Sequence, residues 1–260
     1  MLGLGIALRP AARAGFDPAT LIGAGAAAIW LEPSDLRSMS QDAAGTVPAA
    51  VDAPVGRIAD RSGGGHHATQ GTEAFRPMLR QEADGRLALE FDGVDDFLVH
   101  SFGVSAGSGG GAGDLTLSCA AQRTGDAAVD VGLFQATPPG VRLRAGIWSQ
   151  APAAEWGSYI AGAFRPTGHD IRTRAVMTVV GRAAGDTQLM LTNGGAPVEM
   201  AGSYPGDGQD RRAIGSEFSA EVPRPFRGRL YTLFGVARAL DGDALTGLVR
   251  HQAAQAGVAA

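Results

Sequence analysis

Between Val55 and Val99 the chain alternates short apolar runs with dense polar turns, and that spacing leaves little choice of fold. Val55-Gly56-Arg57-Ile58-Ala59-Asp60 runs into Arg61-Ser62-Gly63-Gly64-Gly65-His66-His67, and Phe75-Arg76-Pro77 follows. Leu89-Glu90-Phe91 and Phe97-Leu98-Val99 then flank Asp92-Gly93-Val94-Asp95-Asp96. Physically this is strand, tight polar turn, loop, strand, Asp-Gly turn, strand. Asp92-Gly93 supplies the positive φ that a hairpin needs, and Phe91 and Phe97 on either side are expected to face inward. Asp60 and Ser62 are expected to bond nearby backbone and hold the Ser-Gly-Gly-Gly turn.

The same grammar continues along the chain. Further strands are expected at 87–91, 96–100, 115–122, 129–136, 141–148, 174–182, 186–192, 213–218 and 227–237, after a first at Ile29-Trp30-Leu31. Gly, Asp or Pro punctuates every gap, in a chain of 260 residues with 39 Gly and 14 Pro. Many short strands with such turns predict an all-β sandwich or jelly roll of two antiparallel sheets, not an α/β fold. The Gly/Ser-rich stretch from Ser101 to Asp114 is expected to be a mobile surface connection. One short helix is expected near the end: Asp241 can cap it, and Ala244, Leu245, Leu248 and Val249 recur at helical spacing. Gly247 weakens that helix and Gly257 closes it. Residues 1–26 read as a separate Gly/Ala-rich arm, with Asp17-Pro18 opening one helical turn, and residues 27–260 as one domain.

Composition removes several function classes. A net charge of −4 with no basic stripe leaves no nucleic-acid footprint. All 22 basic residues are arginine, which a high-GC genome explains. The single cysteine, Cys119, excludes an intrachain disulfide and a cysteine zinc site, and its alternating strand context reads as a small buried hydrophobe. The apolar start at Met1 lacks a basic n-region, and Leu21 to Ile29 is too short to span a bilayer. The expectation is a protein made and assembled in the cytoplasm, without its own export signal and without membrane insertion.

Patterns that carry chemistry are thin. Glu82-Ala83-Asp84-Gly85-Arg86-Leu87 approaches the Glu-x-Asp-x-x-Glu of laminarinase-like enzymes but lacks the last acid, and Asp84-Gly85 reads as a turn. Gly103-Val104-Ser105-Ala106-Gly107 matches a nucleophile elbow in letters, without the helix that the elbow needs. Gly23 to Ala28 matches a dinucleotide fingerprint but precedes a strand instead of following one. His66 and His67 are adjacent and point to opposite faces of an extended segment. Asp92, Asp95 and Asp96 could offer calcium ligands, yet the hairpin already accounts for Asp92. No catalytic residues, metal or cofactor are assigned, and the chain is read as not an enzyme.

Aromatics interleaved with polar residues at Ile147-Trp148-Ser149-Gln150 and Glu155-Trp156-Gly157-Ser158-Tyr159 remain. They fall in a polar, Pro-interrupted region read as loops. Three readings stand open there: glycan contact by stacking on Trp148, Trp156 and Tyr159 with hydrogen bonds from Gln150, subunit contact, or core.

A family resemblance joins these pieces. The block at 55–99 resembles the opening of a concanavalin A-like (laminin-G-like) jelly roll. Trp30-Leu31-Glu32-Pro33-Ser34-Asp35-Leu36, then Asp60-Arg61-Ser62-Gly63, is similar to the signature of a jelly-roll family common in tailed-phage structural proteins. Leu31 and Glu32 stand where that family has an aromatic and Asp, and Arg61 where it has Lys. Phe226-Arg227-Gly228-Arg229-Leu230-Tyr231 through Asp241 resembles its final strand and following helix, and Phe16-Asp17-Pro18 what precedes its jelly roll. The resemblance implies a spike, fibre or decoration subunit of a phage or gene-transfer-agent particle. Residues 1–26 would hold other virion structural proteins, copies would assemble as a homo-oligomer, and loops around Trp156 would bind host surface polysaccharide through many weak contacts. A polysaccharide-degrading enzyme of the same fold and a secreted carbohydrate-binding module are the alternatives.

Overall fold

The computed structural model describes residues 16–104, 113–125, 131–138, 146–150, 154–160, 163–202, 210–217 and 225–260. Their strands, in chain order, are β1 (Ala28–Leu31), β2 (Met39–Ser40), β3 (Arg57–Ile58), β4 (Ala68–Thr69), β5 (Met78–Gln81) and β6 (Leu87–Asp92). There follow β7 (Leu98–Val99), β8 (Leu115–Arg123), β9 (Val131–Gln135), β10 (Gly146–Ser149), β11 (Glu155–Ile160) and β12 (Ala163–Asp170). The series ends with β13 (Ala175–Arg182), β14 (Thr187–Thr192), β15 (Val198–Ala201), β16 (Ala213–Ile214), β17 (Arg227–Val236) and the helix α1 (Gly242–Ala256).

They form two antiparallel sheets, as the turn spacing predicts. The first runs β15-β14-β13-β8-β17-β6-β5, with β1 also on β17; the second runs β12-β11-β10-β9-β16-β7-β4-β3-β2. The long β17 is the spine of the first sheet. One edge of it pairs with β8, and the other takes β6 at Arg227 to Leu230 and β1 at Leu233 to Val236. The first and last strands are therefore neighbours.

Side-chain alternation sorts each strand between two layers. In β8, Leu115, Leu117, Cys119 and Ala121 enter the core between the sheets, where they meet Ile58, Leu98, Phe134, Ile147 and Ile214 from the second sheet. Phe91 and Phe97 are buried, as expected, and burial pushes the Cys119 thiol well above its ordinary range. The opposite row of β8 does not meet water: Ala120, with Val176 and Tyr231, lies under Val249 and Ala253 of α1. Between these apolar patches the helix is pinned by polar bonds. Gln252 Nε2 donates to Ser118 O at 3.2 Å, and the Ser118 and Thr178 hydroxyls bond each other at 2.7 Å, all buried. Gln252→Ala removes a buried donor and acceptor at once and is expected to cost about 2 kcal/mol, measured by urea denaturation.

The helix ends as predicted, with Gly257 in the left-handed region at φ 69°. Asp241 stands at the N-cap position, but its side chain makes no capping bond. The one-turn helix after Asp17 forms over Pro18–Leu21, with Asp17 Oδ1 accepting from Ala19 N at 3.0 Å. Leu21 packs with Ala28, Trp30, Phe234 and Leu248, and Arg238 Nη1 donates to Leu21 O at 3.0 Å. Residues 16–26 thus lie against β1, β17 and α1, while 1–15 fall outside the described residues. Among the described residues, no helix is long and apolar enough to cross a membrane.

Two expectations need adjustment. The Gly/Ser stretch begins in the core, because Phe102 and Val104 are buried beside Ala136; its residues 105–112, and with them most of the elbow-like motif, lie outside the described residues. The segment read as loops around Trp156 is the hairpin β11–β12, paired from Ile160–Ala163 back to Glu155–Asp170; residues 151–153 are again outside.

Candidate functional site

The signature turn is a self-contained hydrogen-bond knot. Asp60 Oδ1 accepts from Trp30 N (2.9 Å) and Ser62 N (2.8 Å), and Oδ2 accepts from Ser62 Oγ (2.7 Å) and His66 N (2.9 Å). Asp60 N donates to His67 Nδ1 at 3.0 Å, while His66 Nδ1 meets Ser101 Oγ at 2.8 Å. The two histidines serve different partners and do not converge on one ligand. The density of Asp, Ser and His here is turn chemistry that ties β1 to the β3–β4 connection.

The aromatic residues expected at a glycan surface are largely interior. Trp148 and Trp156 are both 0% exposed. Trp156 belongs to the central core, and its Nε1 donates to Thr192 Oγ1 of β14 at 2.7 Å, bridging the sheets. Trp148 lies on the other face of β10, paired with Gly157 and Gly132 on its two neighbouring strands. Neither ring has a face open to a sugar, so the glycan reading of these two is corrected to core. Gln150 is half-buried; its N–H donates to Glu155 O at 2.7 Å and its carbonyl accepts from Arg123 Nη1 at 3.0 Å. Tyr159 pairs with Phe164 through the backbone, and its side chain lies outside the described residues.

Sequence reasoning missed the buried arginines. Arg123, 1% exposed, donates to Ser149 Oγ at 2.8 Å and to Gly125 O at 2.9 Å, fixing the end of β10. Arg211 and Glu217 sit 3.5 Å apart with side chains 0% and 1% exposed. Arginine ordinarily reads as surface, and nothing local marks these as interior.

Asp92, Asp95 and Asp96 bring carboxylate oxygens within 4.8 Å of one another. They could approach a cation, although calcium takes about six to eight oxygens. Asp92 Oδ1 already accepts from Val94 N at 2.7 Å and Asp95 N at 3.3 Å, and Asp96 Oδ2 accepts from Asp92 N at 2.9 Å. Burial, then the charges of Asp92, Asp95 and Glu90, push the Asp96 carboxyl up to about 7. Its protonated form therefore contributes stability that is complete below about pH 4 and lost as pH rises through about 7. Asp96→Asn keeps an acceptor for Asp92 N and removes the charge. It is expected to stabilise the fold by about 2–4 kcal/mol at pH 8 and to change little at pH 4, read from denaturation at both pH values.

No protein-family model and no curated protein matches this sequence. Solved structures do match the fold. A sialidase from Trypanosoma rangeli, solved in complex with sialic acid, aligns at a TM-score of 0.55 and 15% identity over 90% of this chain. A GH54 α-L-arabinofuranosidase soaked with 4-nitrophenyl α-L-arabinofuranoside aligns at 0.56 and 13% over 92%. The binding domain of Paraclostridial Mosquitocidal Protein 1 aligns at 0.50 and 12% over 75%. The chain spans 34% of the sialidase and 65% of the arabinofuranosidase. At these identities the likeness establishes the β-sandwich alone. It still corrects one expectation. The reading as a non-enzyme leaned on the missing Glu-x-Asp-x-x-Glu pattern, and solved carbohydrate-active enzymes contain this same sandwich. The absence of one enzyme class's motif does not define what the fold supports.

Proposed function

We propose that this chain is a saccharide-recognising β-sandwich subunit of a phage or gene-transfer-agent particle, attaching it to host surface polysaccharide. The observation that carries the saccharide reading is the match of nine-tenths of the chain to the sandwich found in sialidase and arabinofuranosidase structures. The particle reading draws on the resemblance at Trp30 to Leu36, Asp60 to Gly63 and Phe226 to Asp241. Residues 1–26 anchor the subunit to other particle proteins, and a symmetric oligomer multiplies weak saccharide contacts.

The test is to purify particles from the producing cells, identify the chain in them, and measure binding of the isolated protein to host surface polysaccharide. The reading expects saturable binding, and incorporation that is lost when residues 1–15 are removed and 16–26, which pack on the sandwich, are kept. A folded protein absent from particles refutes the particle role, and one that ignores every host polysaccharide refutes the saccharide role. A second reading, a polysaccharide-degrading enzyme, is favoured by the two hydrolase neighbours. Release of reducing sugar from host polysaccharide by the purified chain would establish it.

A further inference from the structure

On the outer side of the first sheet, beside α1, a cleft of about 440 Å³ opens among Phe16, Pro18, Trp30, Glu32, Arg61 and His251. That volume lies within the roughly 300–1,000 Å³ of small-molecule sites. Four separate segments build it. Trp30 and Glu32 come from β1 and its end, spaced by two so that both project outward. Arg61 comes from the signature turn, His251 from α1, and Phe16 and Pro18 from the chain before β1. We propose that this cleft is the saccharide-binding site and takes a neutral pyranose unit; the inference rests on the carbohydrate reading above and adds its location.

The polar groups are built in and mutually oriented. Glu32 is only 4% exposed; Arg61 Nη1 lies 3.5 Å from its Oε2, and His251 Nε2 lies 3.3 Å from its Oε1. Arg61 is held in turn by Asp35 Oδ2 at 3.2 Å and stacks over the Trp30 ring at 4.4 Å. Arg61 is shared between Glu32 and Asp35, and Asp17 adds a carboxylate at the rim, so the cleft disfavours an anionic ligand. The buried Glu32 charge is held by Arg61 rather than left open for a cation. What the cleft offers is fixed donors and acceptors beside apolar faces. That suits a pyranose, with its rim of hydroxyls and its flat C–H face.

The apolar platform is Phe16. At 37% exposed it is the one aromatic among the large exposed hydrophobics of the described residues. Its ring centroid lies 6.3 Å from that of His251, which lies 5.9 Å from that of Trp30. A helix position explains how it is seated. Any Cβ at Gly247 would run into the Phe16 ring. The helix therefore carries a glycine, about 1 kcal/mol worse than alanine there, in the place that lets an exposed aromatic ring lie against it. Core packing alone gives no reason for that exchange.

Saturation-transfer NMR on the full chain, with the methyl glycosides of glucose, galactose, mannose and rhamnose as probes, tests the site. Phe16→Ala removes the platform, and Gly247→Ala displaces it while favouring the helix. Val94→Ala, at a residue 68% exposed on the Asp92-Gly93 turn, is the control. Expected is a signal from at least one probe that falls at least fivefold in both cleft variants and is kept in the control. A signal unchanged in both cleft variants overturns the location and leaves the carbohydrate reading standing. Binding to host polysaccharide with no signal from any probe likewise overturns the pyranose site alone. Failure of the folded wild type on both probes and polysaccharide overturns the carbohydrate reading and the site together.

Discussion

Glu217→Ala is expected to destabilise the fold by about 3–5 kcal/mol, the cost of removing one half of a buried ion pair. The Arg211 guanidinium and the Glu217 carboxylate are removed from water and 3.5 Å apart. The pair also sits where the chain crosses the second sheet. Arg211 N donates to Thr137 O at 2.9 Å, and a Cβ on Gly132 of β9 would meet the backbone of Ser216 and Glu217. Losing the carboxylate therefore loosens the closure of residues 210–217 over β9 as well as removing the arginine's buried counter-charge. The double variant Arg211→Met with Glu217→Leu removes both charges and is expected to recover most of the loss. Equal destabilisation of the single and double variants in urea titration would contradict a paired burial.

Trp156→Ala is expected to cost a further, independent 3–5 kcal/mol or so. The ring fills the space between the sheets and its N–H bridges to Thr192. Alanine leaves a cavity and an unmatched hydroxyl. A loop tryptophan devoted to sugar would behave oppositely: its loss would spare stability and abolish binding. Thermal unfolding of Trp156→Ala beside Trp156→Phe separates the two cases. Phenylalanine retains most of the volume and should recover about half the loss. A Trp156→Ala protein as stable as wild type would overturn its place in the core.

Much of the fold is legible locally. The Asp60 knot, the Asp92-Gly93 turn, the Asp17 cap and the Gly257 stop are all short-range chemistry, written in consecutive residues. The alternation in β8 is also plain, whereas in β17 a register shift between Leu230 and Thr232 interrupts it. What escapes is whatever depends on a distant partner. β11 hides because its inward row passes from Trp156 to Ser158, and a buried serine breaks the apolar rhythm. Ser158 is tolerated there because Gln188, from the other sheet, and Gly146 O bond it. Arg123 and Arg211 are interior for the same reason, each satisfied by groups that the sequence places far off or gives no cause to pair. The outer row of β8 looks like a solvent face until α1 is laid on it.

The proposed site was less legible still. Phe16, Trp30, Arg61 and His251 come from both ends of the chain and meet only because β1 pairs with β17. Sequence drew attention instead to Trp148 and Trp156, the places richest in aromatic and polar residues. Gly247 was visible as a weakness in the helix, and only the Phe16 ring against it supplies a reason.

The most direct check is the exposure of the three tryptophans. Trp30 is 6% exposed and Trp148 and Trp156 are 0%. The native protein should therefore emit at short wavelength, resist acrylamide quenching, and shift to the red only when unfolded. Red-shifted emission that acrylamide quenches readily in the native state would put the rings in water and contradict the sandwich core described above.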